Sequence, residues 1–368
     1  MADPIGVGII GCGYWGVNHI RVFSDLPQAT VVAVSDLRAD RLKLAKQRFP
    51  TVRTYQGYEE LLGDSEIEGV VVAAPATAHY AVAKECLLSR KHVLVEKPMT
   101  TNIEQAEELV AIAEEMDVVL MVGHTFLYNA GIRTMKACID DDGLGRVYYL
   151  HATRTNLGPI RKDVNAIWDL APHDVSIFNY LLDSKPTWIS AVGAKVLRNS
   201  REDVGFITVH YPDDIIGNIH VSWADPNKVR EVIVVGSNRR ICFDDLNTMG
   251  QVRIFEKGVI SELAETGSFD DFRLLVRDGD IIAPKIEASE PLKNQGAHFL
   301  DCIRTGTQPL TDGRNGLAVV QVMVAIQNSV ARNGAPVQVD REIRTVPLPS
   351  SVAANRRVES PIHGVSLR

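Results

Sequence analysis

The first 122 residues constrain the fold more than any other part of the chain, because short unbroken apolar runs alternate there with helical patterns. Ile5 to Ile10 is such a run, and a helix pattern follows from about Tyr14 to Ser24. TVVAVS (30–35) precedes a second helix over Asp40 to Arg48, and GVVVAA (69–74) a third over Ala78 to Ser89. HVLVE (92–96) precedes a fourth over Asn102 to Met116, and VVLMV (118–122) closes the set. A strand with one wet face alternates apolar and polar residues; these runs do not, so they predict strands covered on both faces. Strand–helix repetition then predicts a doubly wound parallel sheet with right-handed crossovers. Thr101 and Glu104 have capping-box spacing and predict the start of the fourth helix.

After about residue 145 the pattern changes. VYYLHATRT, TWISAVGAKVL, VGFITVHY, IIGNIHVSW, REVIVVG and RRICF read as successive strands, separated by turn signals such as YPDD and GSNR. Strands in series with tight turns predict an antiparallel sheet. Gln295 to Thr305 and Asn315 to Arg332 read as helices. The 368 residues are too many for one ordinary core. The expected division is a dinucleotide-binding domain over 1–124, an α+β substrate and oligomerisation domain over 125–345, and an irregular Pro- and Ser-rich tail over 346–368.

The net charge of −7 argues against a nucleic-acid backbone as the main partner. No apolar run reaches the roughly 18–20 residues of a membrane helix, so no membrane partner is expected, and no basic segment followed by an apolar block opens the chain, so no signal peptide is expected. The five cysteines (Cys12, Cys86, Cys138, Cys242, Cys302) are scattered and odd in number. They read as reduced thiols of a cytoplasmic protein with no metal site.

GVGIIGCGYWG (6–16) fits G-x-G-x-x-G in two registers. A dinucleotide turn must follow a strand and open a helix. The first register leaves only five residues for the strand, with Pro4 among them. The second, Gly11, Gly13 and Gly16, leaves Ile5 to Ile10 as the strand and starts the helix near Tyr14. It also places Asp36 at the end of the second strand, where a carboxylate accepts hydrogen bonds from the adenine ribose. Gly11 would permit the turn, Gly13 the approach of a pyrophosphate, and Gly16 close helix–strand packing. Asp36 would repel a 2′-phosphate and so favours NAD. Arg38 and Arg41, close by, keep NADP open.

Two further stretches carry chemistry. In VEKP (95–98), Lys97 lies just past the carboxyl end of a parallel strand, where open α/β sheets bind ligands. A solvated strand-end lysine is the alternative. In NAIWDLAPHD (165–174), Asp169 and His173 share one helix face. The alternative makes Asp169 a helix N-cap, Pro172 a first-turn residue and His173 structural.

GCGYWG, Asp36, AAPATAH (73–79), EKP (96–98) and the Asp169/His173 pair together resemble the glucose-fructose oxidoreductase, inositol dehydrogenase and MocA group (Gfo/Idh/MocA) of NAD(P)-dependent oxidoreductases. The resemblance implies a Rossmann domain followed by an α+β domain with a large, mostly antiparallel open sheet, whose open face commonly supports homo-oligomers. It implies Pro75 and His79 beside the cofactor, and Lys97, Asp169 and His173 as the catalytic cluster. The candidate cofactor contacts are Gly11, Gly13, Tyr14, Trp15, Gly16, Asp36, Arg38, Ala74, Pro75, His79, Glu96 and Lys97. Many members carry a Gly-Gly pair before the Asp, where this chain has Asn165 to Trp168. The stretch 154–182 is similar to a subgroup resembling UDP-N-acetylglucosamine 3-dehydrogenases. Arg154, Asn156, Arg161, Asn165 and Trp168, with Lys97, Asp169 and His173, would then line a polar pocket for a nucleotide sugar. Arginine suits a diphosphate or carboxylate, and plain surface charge is the alternative for Arg154 and Arg161.

The expected chemistry is hydride transfer between a secondary sugar alcohol and NAD. His173 would act as general base, Lys97 would stabilise the developing alkoxide, and Asp169 would orient the substrate and set charge states. Lys97 as base remains open. Other readings are an inositol or free-sugar dehydrogenase, an NAD-dependent glycosidase of the same family, and a non-catalytic sugar or cofactor sensor.

Overall fold

The computed structural model describes residues 3–158, 160–197, 200–263 and 272–339. The tail expected over 346–368 lies outside them. The chain forms two compact units. Among described residues the first comprises 3–122 and 298–317, and the second 123–297 and 318–339.

The first unit is built on strands β1 (Ile5–Ile10), β2 (Ala29–Ser35), β3 (Arg53–Tyr55), β4 (Gly69–Val72), β5 (His92–Val95) and β6 (Leu120–Val122). They form one sheet in the order β3-β2-β1-β4-β5-β6, with every pair parallel. Helices α1 (Tyr14–Ser24), α2 (Ala39–Arg48), α3 (Tyr58–Leu62), α4 (His79–Leu88) and α5 (Ile103–Met116) connect them. All six residues of β1 and all four of β4 are buried, as double-sided cover requires. This is the Rossmann order, which reverses direction between β1 and β4. β3 and α3 were not legible in the sequence, because three and five residues are too short to show a period. The start of α5 differs by one residue from the capping-box reading. Asn102 is the N-cap, its side chain accepting from Gln105 N at 2.8 Å.

The second unit contains α6 (Ala130–Asp140), β7 (Val147–Thr155), α7 (Ala166–Leu182), β8 (Trp188–Ala194), β9 (Val204–His210), β10 (Ile216–Ser222), β11 (Val229–Gly236), β12 (Arg240–Asp244) and β13 (Val252–Phe255). Strands β14 (Gly258–Leu263) and β15 (Phe272–Arg277) make a separate hairpin, and β16 (Ile281–Ile282) and β17 (Val337–Gln338) are two-residue edges. The nine-stranded sheet runs β16-β13-β12-β11-β7-β10-β9-β8-β17. Its pairs are antiparallel except β7 with β10 at the centre, which run parallel, so the sheet is mostly antiparallel, as expected. One face is apolar: Leu150, Ala152, Ile207, Val209, Ile219, Val221, Val232 and Val234 are buried. Helix α7 packs on this sheet and buries Ile167, Val175, Phe178 and Leu181. The opposite face carries exposed Tyr149, Val192, Phe206 and Ile216.

Helices α8 (Pro291–Thr305) and α9 (Gly313–Ala331) start four and two residues earlier than their periodicity indicates. Both unit boundaries fall inside them. A single cut at residue 124 therefore misses the return of the chain. Val122 N donates to Thr311 O at 2.7 Å and Thr311 Oγ1 to Val122 O at 2.8 Å, so residues 298–317 extend the first unit along the open edge of β6. Phe299 meets Phe23 edge to face at 6.4 Å. A sheet edge offers unpaired backbone groups, and a later segment satisfies them here.

Candidate active site

The glycine turn of the first unit follows the second register, since Gly6 and Gly8 lie inside β1. Gly11 has φ +98°, and a Cβ there would lie 2.6 Å from Ala73 O. A Cβ at Gly16 would lie 1.7 Å from Gly11 O, so the helix sits directly on the turn. Gly13 differs. It is the N-cap of α1, with φ −74° and no side-chain cap, and a Cβ there would meet only Arg41 Nη1 at 3.5 Å. The fold does not require glycine at 13; a glycine there leaves the N–H groups of the first turn of α1 open to an approaching anion. The first turn of α1 holds no acidic residue to occupy that end. Tyr14 and Trp15 flank it, both exposed.

Asp36 ends β2 and reaches across the turn. Its Oδ2 accepts from Cys12 N at 2.7 Å and its Oδ1 from Arg38 N at 2.9 Å, with Arg41 Nη1 at 3.6 Å. Burial, with the nearby Asp36 charge, pushes the Cys12 thiol up to about 12. Arg38 directs its fork to Asp40, at 3.1 and 2.6 Å. The cradle at Gly13 and the carboxylate at Asp36 fit a dinucleotide with a free ribose diol. The two arginines that would hold a 2′-phosphate face carboxylates instead.

Beyond β4 and β5 the loops are tied by buried polar groups. Glu96 Oε1 pairs with His19 Nε2 at 2.8 Å, and Lys97 N donates to Glu96 Oε2 at 3.3 Å. Burial raises the Glu96 carboxyl, but the His19 hydrogen bond and the charges of His19, Lys97 and His79 outweigh it, and the pKa is lowered. His79 Nδ1 lies 2.7 Å from Pro98 O and Nε2 2.9 Å from Ala74 O. Carbonyls only accept, so imidazolium alone satisfies both at once. His79 thereby fastens the loop after β4 to the cis Lys97–Pro98 loop after β5. Lys97 is 7% exposed, which removes the reading of a solvated strand end. Pro75 is exposed at the head of the 76–78 turn, with Ala74 half-buried before it.

In the second unit, α7 carries Asp169 and His173 one turn apart and half-buried. The N-cap is Asn165, whose Oδ1 accepts from Trp168 N at 2.9 Å. This corrects the alternative in which Asp169 caps the helix; Pro172 lies inside α7, not in its first turn. Both Asp169 oxygens are held, Oδ1 by Arg161 Nη1 at 3.1 Å and Oδ2 by Trp223 Nε1 at 3.3 Å. Trp223 was not singled out in the sequence; its only signal is its place as the last residue of IIGNIHVSW. Arg161 also grips Asp163 through Nε and Nη2, at 3.0 and 2.6 Å. Arg154 is 4% exposed and forks onto Asp174 at 2.9 and 2.7 Å. Neither arginine is plain surface charge. Asn165 further donates to Glu202 at 2.8 Å, and Trp168 is buried, so both, like Arg154, serve the unit's own packing. Asn156 is half-buried, its N–H on Ser222 O at 3.0 Å.

Residues 5–124 match the oxidoreductase family with an NAD-binding Rossmann fold, and residues 132–242 match the GFO/IDH/MocA C-terminal domain. The chain belongs to the Gfo/Idh/MocA family. Among relatives of this Gfo/Idh/MocA protein, the UDP-N-acetylglucosamine 3-dehydrogenase of Acidithiobacillus ferrooxidans is 26% identical, over 88% of this chain and 98% of its own length. The myo-inositol 2-dehydrogenase of Thermotoga maritima is 22% identical, over 88% and 96%. The WlbA dehydrogenase of Bordetella pertussis, solved with NADH and UDP-GlcNAcA, superposes with TM-score 0.76 at 21% identity, over 92% of this chain and all of the other. The protein is an NAD(P)-dependent oxidoreductase of the dehydrogenase type. Among the described residues no helix is long and apolar enough to cross a membrane, and no group of three or more His, Cys, Asp or Glu forms a metal cluster.

Proposed function

We propose that the protein is a cytoplasmic, NAD-dependent dehydrogenase that oxidises a secondary hydroxyl of a nucleotide sugar, with UDP-N-acetylglucosamine, giving a 3-keto sugar, as the leading candidate. The observation that carries the reading is Asp169, fixed through both oxygens by Arg161 and Trp223, one helical turn ahead of His173. A merely solvated acid has no need of two built partners. Similarity to a UDP-N-acetylglucosamine 3-dehydrogenase along nearly its whole length supports the substrate class.

Gly11, Gly13, Tyr14, Trp15 and Gly16 would hold the pyrophosphate and Asp36 the adenine ribose, with Ala74, Pro75, His79 and Glu96 shaping the loops toward the nicotinamide. When bound, NAD supplies the two-electron acceptor for hydrogen on the reacting carbon. The chain's own groups manage the proton. His173 takes it from the substrate hydroxyl, since imidazole titrates near working pH. Lys97 donates a hydrogen bond to the same oxygen and stabilises its developing charge. Asp169, held rigid by its two partners, orients the hydroxyl. Asn156 remains a candidate substrate contact, and Arg161, engaged by Asp163 and Asp169, acts by holding Asp169. Arg154, Asn165 and Trp168 leave that list because Asp174, Glu202 and the core engage them.

The test is NADH formation by purified protein with NAD, and with NADP in parallel, across UDP-N-acetylglucosamine, other nucleotide sugars, free glucose and myo-inositol. Turnover confined to a nucleotide sugar is expected. Turnover with inositol or glucose alone overturns the substrate class. His173→Ala should fall by about 10²–10⁴-fold, the range of general acid–base catalysis, and near-wild-type turnover in that variant removes His173 as base.

A further inference from the structure

The proposed function leaves unexplained a buried ion pair beside His173. Arg154 of β7 and Asp174 of α7 are 4% and 0% exposed and share two hydrogen bonds of 2.9 and 2.7 Å. Desolvating both charges makes such a pair a weak source of stability, and well-packed apolar side chains often replace one without loss. What a two-bond fork does provide is a fixed plane. The Arg154 guanidinium carbon lies 4.3 Å from the centre of the Phe126 ring. Phe126 in turn meets the His173 imidazole at 5.1 Å and 68°, edge to face. The neighbouring Thr125 ties this turn to α8 through Gln295, at 2.7 Å. A continuous stack therefore runs from Asp174 through Arg154 and Phe126 to His173.

We propose that Arg154 is a positioning residue that sets the orientation of the His173 imidazole through Phe126. The cation holds the ring, and the ring limits the imidazole to one orientation on α7. Asp174 neutralises Arg154, so the stack imposes geometry on His173 without adding net charge. This assigns Arg154 a task different from the substrate contact that its place in the sequence suggested. Its importance for turnover rests on His173 being the general base; its effect on the ring does not.

The test reads the ring directly, in the free protein. Histidine labelled with ¹³C at Cε1 gives one signal per imidazole, and the His173 signal is the one lost in His173→Gln. The paired change Arg154→Met with Asp174→Leu removes both charges and keeps the volume apolar, so it alters the stack without altering the net charge. The expected result is a displaced or broadened His173 signal, with the signals of His19, His92 and His298 unmoved. Arg154→Lys keeps the charge but loses the fork, and should displace the same signal; it stands in if the paired variant fails to fold. In a Phe126→Leu background the Arg154→Lys change should displace it no further, because the intermediary is gone. An unmoved His173 signal in a folded variant, or equal movement of all histidines, overturns the proposal. So does an undiminished displacement in the Phe126→Leu background. With an active substrate, kcat should fall about tenfold or more while NAD affinity is unchanged, since misplacing a reacting group by about 1 Å is that damaging. A displaced signal together with an active His173→Ala enzyme would refute the proposed base and leave the positioning inference intact.

Discussion

Substituting alanine at Gly13 and Gly16 separates what the fold needs from what the cofactor needs. At Gly16 the new methyl carbon would sit 1.7 Å from Gly11 O and 2.8 Å from Gly11 C, both backbone atoms of the turn. Relief requires moving α1 or the turn by more than about 1 Å, which should exceed the roughly 1–3 kcal/mol of ordinary overpacking. At Gly13 the methyl carbon meets only the flexible end of Arg41 at 3.5 Å, and φ is already −74°. Alanine is a poorer N-cap than glycine by up to about 1 kcal/mol, but it restricts the unfolded chain by about 0.4–1 kcal/mol. The two nearly cancel, so Tm should move by only a few degrees. Binding should respond oppositely. A methyl group over the first N–H groups of α1 holds a pyrophosphate beyond hydrogen-bond range. Losing two charge-assisted bonds at about 1.5 kcal/mol each weakens NAD by about 3 kcal/mol, near a hundredfold in Kd. Calorimetric titration with NAD and thermal melts of both variants read the two effects. A Gly13→Ala protein that binds NAD like the wild type would refute the placement of the pyrophosphate. A Gly16→Ala protein that melts like the wild type would refute the packing argument.

Three further outcomes are expected. Glu96→Gln removes the buried carboxylate that His19 Nε2 engages and should destabilise the protein near neutral pH. Because the folded Glu96 pKa is below 4.5, that stabilisation is present above about 4.5 and is lost as pH falls through the folded value, so urea midpoints of wild type and variant should converge in acid and remain apart at neutrality. Cys12, pushed up to about 12, should resist iodoacetamide at mildly alkaline pH in the native state and react once unfolded; rapid native labelling would contradict its burial. We propose that the open sheet face carrying Tyr149, Phe206 and Ile216 joins copies of the chain. Ile216→Glu should then shift the protein to a smaller species by light scattering, and an unchanged mass would exclude that face.

Much of the first unit was legible because burial on both faces leaves a local mark. Strands of four to seven residues rich in Val, Ile and Ala, each followed by a helical period, specify a parallel sheet without reference to distant residues. The glycine register was legible for the same reason, since the length of β1 is a local fact. Asp169 and His173 could be paired by helical spacing, but their surroundings could not. Asp169 depends on Trp223, fifty-four residues away, and Glu96 on His19, seventy-seven away. Hydrogen bonds of that kind leave no period in the chain, because they depend on which elements the fold brings side by side. Caps were misread by one residue at α5, and at α7 in the alternative that made Asp169 the cap. Several polar residues near a helix start can serve as caps, and only the backbone conformation selects one. The sequence by itself determined a Rossmann half with its nucleotide turn, and a sheet-rich second half bearing an acid and a histidine on one helix. Tertiary structure alone decided that residues 298–317 complete the first unit, that Arg161 and Trp223 hold Asp169, and that Arg154 turns inward to Asp174. The physical reason is that a buried polar group must find a partner, and in a folded chain that partner is chosen by proximity in space, not in sequence.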